Sequence, residues 1–278
     1  VSSHKSLSRT TIYYRAAQRM LLWHCFTKRL PLYPVTEFPK CGGTWYCQML
    51  SQVLGQRFSR NTSKPVFGRS IIHGHHLYSP HFHRPVSVVR DGRDAIVSAY
   101  YHFLFRNEVN SDYGVNRTRK ALPFRDYDDI HTNLPEFIDY MFTVFNQGGR
   151  RFSWTEYITE WHDKERLEVR YEDLLVQPGE ELLRSARWFG FDEIDLDHCQ
   201  DVADQFTFKK MSGRSRGDTN SRSFMRKGVA GDWVNSFSQN ARERFHAHAG
   251  EALKIAGYET DDSWVDASPA RVKEIVDA

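Results

Sequence analysis

Pro34-Val35-Thr36-Glu37-Phe38-Pro39-Lys40-Cys41-Gly42-Gly43-Thr44-Trp45 is a short apolar segment that runs into a lysine and two glycines and then turns helical. The order predicts a strand, a phosphate loop and a helix start. Paired glycines let the backbone approach a ligand closely, and successive N–H groups at a helix N-terminus cradle an anion, helped by the helix dipole. Lys40 adds a positive charge at the rim. The lysine precedes the glycines and no Gly-Lys-Ser/Thr occurs in the chain, so this is not a Walker loop. On these residues alone, an ordinary turn capping a helix fits equally well.

Working outward, the strand-then-helix order recurs. A helix over 44–54 carries Trp45, Met49, Val53 and Leu54 and stops at Gly55. Ser70-Ile71-Ile72 reads as a buried strand that delivers His73, His75 and His76 at its far end. Pro85-Val86-Ser87-Val88-Val89 is a second strand, ending in Arg90-Asp91-Gly92-Arg93-Asp94 before another helix. Ser98 lies about one and a half turns into that helix, on the face turned back toward the strand end. An ion pair with Asp91 or Asp94 is the structural alternative for Arg90. Residues 166–170 alternate as a strand and lead into Tyr171-Glu172-Asp173-Leu174-Leu175. Pro178 then opens a helix with Leu182, Leu183, Ala186 and Phe189 on one face, stopped by Gly190.

Strands alternating with helices predict a single α/β domain over residues 1–278, with a central parallel sheet flanked by helices and a P-loop-like anion loop after its first strand. In such sheets ligands bind beyond the carboxyl ends of the strands. Lys40, His75, Arg90 and Tyr171 each occupy such an end.

Three segments stand apart. Residues 11–30 form an amphipathic basic helix, with Ile12, Ala16, Met20, Trp23 and Phe26 at helical spacing among Arg15, Arg19, Lys28 and Arg29. Contact with an anionic membrane surface is open to such a helix, but packing across the domain edge is preferred. Residues 103–132 lose the pattern and form a long excursion expected to shape an acceptor pocket. Its basic residues are offset by acids, which leaves a phenol, a carbohydrate and a small natural product as acceptors. Residues 213–224, rich in Gly, Ser and Arg, read as a mobile lid. Helices are also predicted over 134–146, 151–162 and from Ser238 to Gly257.

Composition bounds the partners. The chain has 278 residues, 40% apolar and 14% aromatic, enough for a substantial core, and a net charge of +3. That charge is too mild to call for nucleic acid. Cys25, Cys41, Cys47 and Cys199 lack Cys-x-x-Cys spacing, which favours a reducing, cytoplasmic setting. No run of about 18 apolar residues is present. Five histidines between His73 and His83 invite a metal reading, hence a metal-dependent hydrolase using His73, His75 and His76. The acid that such a cluster would need is replaced by Leu77. A nucleotide-binding module without catalysis is the other alternative.

These residues resemble the sulfotransferases that use 3′-phosphoadenosine 5′-phosphosulfate (PAPS). Pro39-Lys40-Cys41-Gly42-Gly43-Thr44-Trp45 is similar to that family's 5′-phosphosulfate loop. Arg90 with Ser98 resembles its 3′-phosphate pair, and Arg226-Lys227-Gly228 within Arg-Lys-Gly-x-x-Gly-Asp-Trp a further signature. Tyr171-Glu172-Asp173-Leu174 resembles a fourth. The resemblance implies a P-loop-like nucleotide-binding architecture in which Lys40 and the amides of Cys41, Gly42, Gly43 and Thr44 hold the phosphosulfate. Arg90, Ser98, Arg226, Lys227 and Gly228 would hold the 3′-phosphate, Trp45 and Phe208 would sandwich adenine, and Tyr171 would approach the base edge. Ile72-His73-Gly74-His75 aligns with the family's Ile-Lys-Thr-His, making His75 the base and His76 the reserve. Sulfuryl transfer to a hydroxyl or amine, without a metal, is the implied activity, and adenosine 3′,5′-bisphosphate (PAP) the implied product.

Two departures follow. Cys41 stands where serine or threonine is usual, and a cysteine at a helix N-terminus tends toward the thiolate. At the family's C-terminal dimer motif the chain has Val234, Ser238, Gln239 and Glu243. Only the glutamate matches, which argues against a dimer through that segment.

Overall fold

The protein is described by a computed structural model over residues 9–59, 66–110, 112–145 and 152–267. Five strands form one sheet: β1 (Leu32–Glu37), β2 (Arg57–Ser59), β3 (Ser70–Gly74), β4 (Val86–Val89) and β5 (Leu167–Arg170). All neighbours pair in parallel, in the order β2-β3-β1-β4-β5. Val35 of β1 lies opposite His73 on one side and Val86 on the other. Every residue of β1, β3 and β4 is buried, as expected of strands covered on both faces.

The chain leaves β1 toward β3 but leaves β4 toward β5. Right-handed crossovers then put the two connections on opposite faces and open a crevice at β1. On one face lie α2 (Gly43–Val53), α8 (Pro178–Trp188) and α9 (Leu196–Gln205), joined where the Tyr46 hydroxyl donates to Ser185 Oγ at 2.6 Å. The other connection runs through α3 (Gly92–Leu104), α4 (Asp112–Ala121), α5 (Ile130–Asp139) and α6 (Trp154–Trp161). From α6, the Tyr157 hydroxyl bonds Thr36 O and Ser87 Oγ, and Trp161 Nε1 donates to His76 O. A capping box of Ser153 and Glu156 starts α6.

The remaining helices are α1 (Arg9–Leu21), α7 (Tyr171–Val176), α10 (Phe208–Ser212), α11 (Gln239–Ile255) and α12 (Ser263–Asp266). The segment expected as one helix over 11–30 is α1 followed by a π-helical turn at Leu22–Phe26. That turn buries Leu22 and Trp23, and the Trp23 ring packs 4.3 Å from His76 and 4.9 Å from Phe82. The side chains of Ile12 and Ala16 lie outside the described residues, as do positions 146 and 151 of two expected helices. The 103–132 excursion is not irregular throughout: α3 continues to Leu104 and α4 occupies its middle, burying only Val115 and Thr118. Residues 213–224 hold no helix or strand.

Candidate active site

A cavity of about 860 Å³ is built around the carboxyl ends of β1, β3, β4 and β5. Lys40, Gly42, Thr44, Trp45, His75, Arg90, Ser98, Tyr171, Phe208, Arg226, Lys227 and Gly228 all line it. Cys41 and Gly43 sit beneath the wall, fully buried.

The loop after β1 is held in an unusual conformation. Lys40 and Gly42 have φ of 77° and 94°, and a Cβ at Gly42 would stand 2.6 Å from the Tyr171 ring. Glycine is required there by both backbone and packing. Two of the four amides expected to face an anion are committed within the protein. Gly43 N–H donates to Glu37 Oε2 at 2.7 Å, and Cys41 N–H to Phe38 O at 3.3 Å. The amides of Gly42, Thr44 and Trp45 donate to no acceptor among the described residues, so the cradle is displaced one residue toward α2. The Cys41 expectation is also corrected. Burial is the dominant influence on the thiol and pushes it well up, and the neighbouring Glu37 charge adds to this. The group is an inert thiol.

Beneath the loop, Glu37 Oε1 pairs with His73 Nε2 at 2.9 Å. Burial opposes the carboxylate, but the hydrogen bond and charge of His73 hold Glu37 below its ordinary value. Burial is also the leading cause that lowers Lys40, to about 8, with Glu37 opposing it and Arg90 and Arg226 reinforcing it. Its ammonium lies 4.0 Å over the Phe224 ring.

The second cationic group comes from β4, α3 and the segment before α11. Arg90 donates to Lys40 O and Val229 O at 3.3 and 3.1 Å, pairs with Asp94 at 3.4 Å, and stacks 4.3 Å from Tyr171. Arg90 Nε is buried without a partner. An orphaned donor in a cavity wall fits an anion that supplies its acceptor. Asp91, the alternative partner for Arg90, instead binds Arg93 at 2.8 Å. Asp232 receives Arg226 at 2.7 Å and Lys227 at 2.5 Å, fixing both cations. Asp94 in turn accepts from Gly231 N and Trp233 N at 2.7 and 2.9 Å, fastening that segment to α3. Gly228 has φ 68°, and a Cβ there would lie 2.3 Å from the Phe208 ring. Trp45 Nε1 donates to Phe206 O at 2.9 Å, bringing Trp45 near the same helix start as Phe208. Tyr171 is buried between Gly42 and Arg90, so it braces the loop and the arginine.

Phe103, Phe145, Phe152, Phe224 and Met225 add an apolar part of the lining, adjoining Lys40 at Phe224. Among the described residues of the excursion Phe103 alone is in that lining, while Asn107 contacts His102 and Glu108 accepts from Phe224 N–H at 2.8 Å. His75 is exposed to the cavity, while His76 packs on Trp23 and Phe82 outside it. The Nδ1 of His75 lies 3.0 Å from Glu37 O. A carbonyl only accepts, so Nδ1 carries the proton and Nε2 presents a lone pair. Burial, above all, lowers His75 from its ordinary value. His73 Nε2 and His75 Nδ1 are both engaged by Glu37, through its carboxylate and its carbonyl, and His76 packs on Trp23 and Phe82. Among the described residues no group of three or more His, Cys, Asp or Glu is arranged to hold a metal.

His102 also lines the cavity and escaped the reading of the sequence. It lies four residues beyond Ser98 on α3, and that i to i+4 spacing was its signal.

A parallel sheet with a phosphate loop at its switch point and a cation-lined cavity defines a P-loop-like, nucleotide-binding α/β protein. The chain matches the sulfotransferase domain model over residues 75–257, well over half its length, and it belongs to the PAPS-dependent sulfotransferase family of enzymes. It is 23% identical to Sulfotransferase 1A1 of Rattus norvegicus over 265 residues, covering 79% of this chain and 83% of that protein. With Sulfotransferase 1B1 of Mus musculus it shares 26% over 263 residues, 77% and 79% of the two. The match to Sulfotransferase 1A1 of Canis lupus familiaris spans about half of that relative, 55%. The crystal structure of mouse sulfotransferase SULT7A1 complexed with PAP superposes with a TM-score of 0.60 at 14% identity, over 98% of this chain and 94% of that one. That likeness is one of fold.

Proposed function

We propose that the chain transfers a sulfuryl group from PAPS to a small, largely apolar acceptor. The observation that carries this reading is the union, in one cavity, of two separate cationic sites with an apolar part of the lining. A donor with a 5′-phosphosulfate and a distant 3′-phosphate needs two such sites. Lys40 and the amides of Gly42, Thr44 and Trp45 would hold the first. Arg90, Ser98, Arg226, Lys227 and the Gly228 backbone would hold the second, arginine suiting it through its fork of donors. Trp45 and Phe208 would flank the base.

In the reaction the protein aligns an in-line displacement and stabilises charge, as in phosphoryl transfer. His75 Nε2 takes the acceptor proton while the acceptor oxygen bonds to sulfur. The bond from sulfur to the phosphate oxygen breaks, and Lys40 stabilises that departing oxygen. The reading includes a cytoplasmic location, supported by four cysteines that are all free thiols.

The test pairs two measurements. PAP at about 100 times its dissociation constant should stabilise the protein by about 2.7 kcal/mol in thermal unfolding. His75→Ala should keep that shift and lower transfer of labelled sulfate by about 10²- to 10⁴-fold. No PAP shift sinks the donor assignment, and unreduced turnover in His75→Ala sinks the base.

A further inference from the structure

The end of α3 is tied down by an asparagine turn that decides which nitrogen of His102 carries the proton. Asn107 Oδ1 accepts from the backbone N–H groups of Val109 and Asn110, both at 3.0 Å. That double acceptance identifies the oxygen, so the other atom of the amide is the NH₂ group. It lies 3.2 Å from His102 Nδ1. An NH₂ only donates, hence Nδ1 accepts and the proton of the neutral ring sits on Nε2. Asn110 completes the clamp, its Nδ2 donating to His102 O and Phe105 O at 2.7 and 2.6 Å. Burial first, then the charges of Lys40 and His75, lower His102 to about 3, so the ring stays neutral. No hydrogen bond among the described residues uses Nε2.

His75 and His102 therefore line one cavity in opposite tautomers, His75 offering a lone pair and His102 an N–H. We propose that His102 is a positioning and specificity residue that donates from Nε2 to the acceptor's nucleophilic oxygen and thereby selects hydroxyls over amines. The inference rests on the sulfotransferase reading of the site. A hydroxyl oxygen has two lone pairs: one forms the bond to sulfur, and the second accepts from His102 while the proton passes to His75. The His102 proton stays on its nitrogen throughout. A neutral amine has one lone pair, consumed in forming the bond to sulfur. It has none left for His102, whose N–H is then left unpaired in a closing site, the arrangement by which polar sites reject near-isosteres.

Asn107→Asp isolates the tautomer. The carboxylate keeps the oxygen that accepts from Val109 and Asn110 but replaces NH₂ with an acceptor, which forces the proton onto Nδ1 and turns Nε2 into an acceptor. His102→Gln retains an N–H donor, and His102→Phe removes it. The readouts are long-range ¹H–¹⁵N spectra of the histidine ring, the PAP thermal shift, and transfer rates to 2-naphthol and 2-naphthylamine. We expect wild type to show unprotonated Nδ1 and a strong preference for the naphthol. That ratio should fall by about 10-fold or more in Asn107→Asp and His102→Phe, recover partly in His102→Gln, and leave the PAP shift unchanged. A protonated Nδ1 in wild type overturns the proposal at its premise. An intact PAP shift with an unchanged ratio in both variants overturns the donor role alone, and absence of a PAP shift in wild type overturns the underlying reading of the site.

Discussion

Lys40 sits at φ 77° with its ammonium over Phe224, close enough to Arg90 and Arg226 to feel their repulsion. Such a position is unfavourable for a cation until an anion arrives. Its pKa is about 8 in the folded protein against about 10.4 for an unperturbed lysine. Between those values the unfolded chain binds more protons than the folded one, so stability rises with pH across the window. Near pH 7 the charged lysine is a net burden. We expect Lys40→Met to stabilise the ligand-free protein by about 1–3 kcal/mol in urea unfolding, while sulfate transfer falls by about 10²-fold or more. A Met variant less stable than wild type would show that Lys40 is held by its contacts rather than tolerated for its chemistry.

At the scale of elements, α3 joins the two halves of the site. Its first turn places Asp94 under Arg90 and under the backbone of Gly231 and Trp233, and its last places His102 and the asparagine clamp. Removing a buried carboxylate that balances one arginine and satisfies two N–H groups leaves both N–H groups unpaired and Arg90 without its counter-ion. Asp94→Ala should lose about 3–5 kcal/mol, and Asp94→Asn, which keeps an acceptor oxygen, less. Both should weaken PAP binding more than Asp91→Asn, because Asp94 fastens the segment that carries Arg226, Lys227 and Gly228. PAP titration alongside urea unfolding reads both effects, and unchanged affinity in Asp94→Ala would remove the positioning role. Elements of this kind differ in how they can be read from sequence. Strands β1, β3 and β4 were legible because burial on both faces leaves a mainly apolar run that ends in charge, and β5 because its residues alternate. The edge strand β2 has three residues and no such run, and α4 has too small a buried face to imprint a period. At the site, side-chain types at strand ends were legible. The diversion of the Gly43 amide to Glu37 and the tautomer of His102 are set by partners only six and five residues away, but through side-chain orientations that spacing does not encode, and the burial of the Cys41 thiol depends on the packing of the whole core.

For the whole molecule, a net charge of only +3 conceals a strong local concentration of charge. Lys40, Arg90, Arg226 and Lys227 converge on one cavity, Asp94 and Asp232 offset them from behind, Glu37 and Asp204 are acids in the lining, and His75 and His102 stay neutral. A low-dielectric crevice with an excess of positive charge attracts a polyanion and, once occupied, reverses the electrostatics of its own lysine. Bound phosphate favours the charged form of Lys40, so its pKa must rise from about 8 on PAP binding. By linkage, binding at about pH 8.5 should take up well over half a proton per site, and affinity should decline as pH rises from about 8 toward the bound-state value. At about pH 6.5 Lys40 is already protonated, and the uptake should vanish or reverse as the phosphates shed their last protons to the cations. Calorimetric titration of PAP in two buffers of different ionisation enthalpy measures the proton count directly. Lys40→Met should abolish the uptake at the higher pH while Arg90, Arg226 and Lys227 still sustain weaker binding. Equal proton counts in wild type and Lys40→Met would mean that the lysine does not meet the ligand's charge, and the role assigned to the phosphate loop would have to pass to its amides alone.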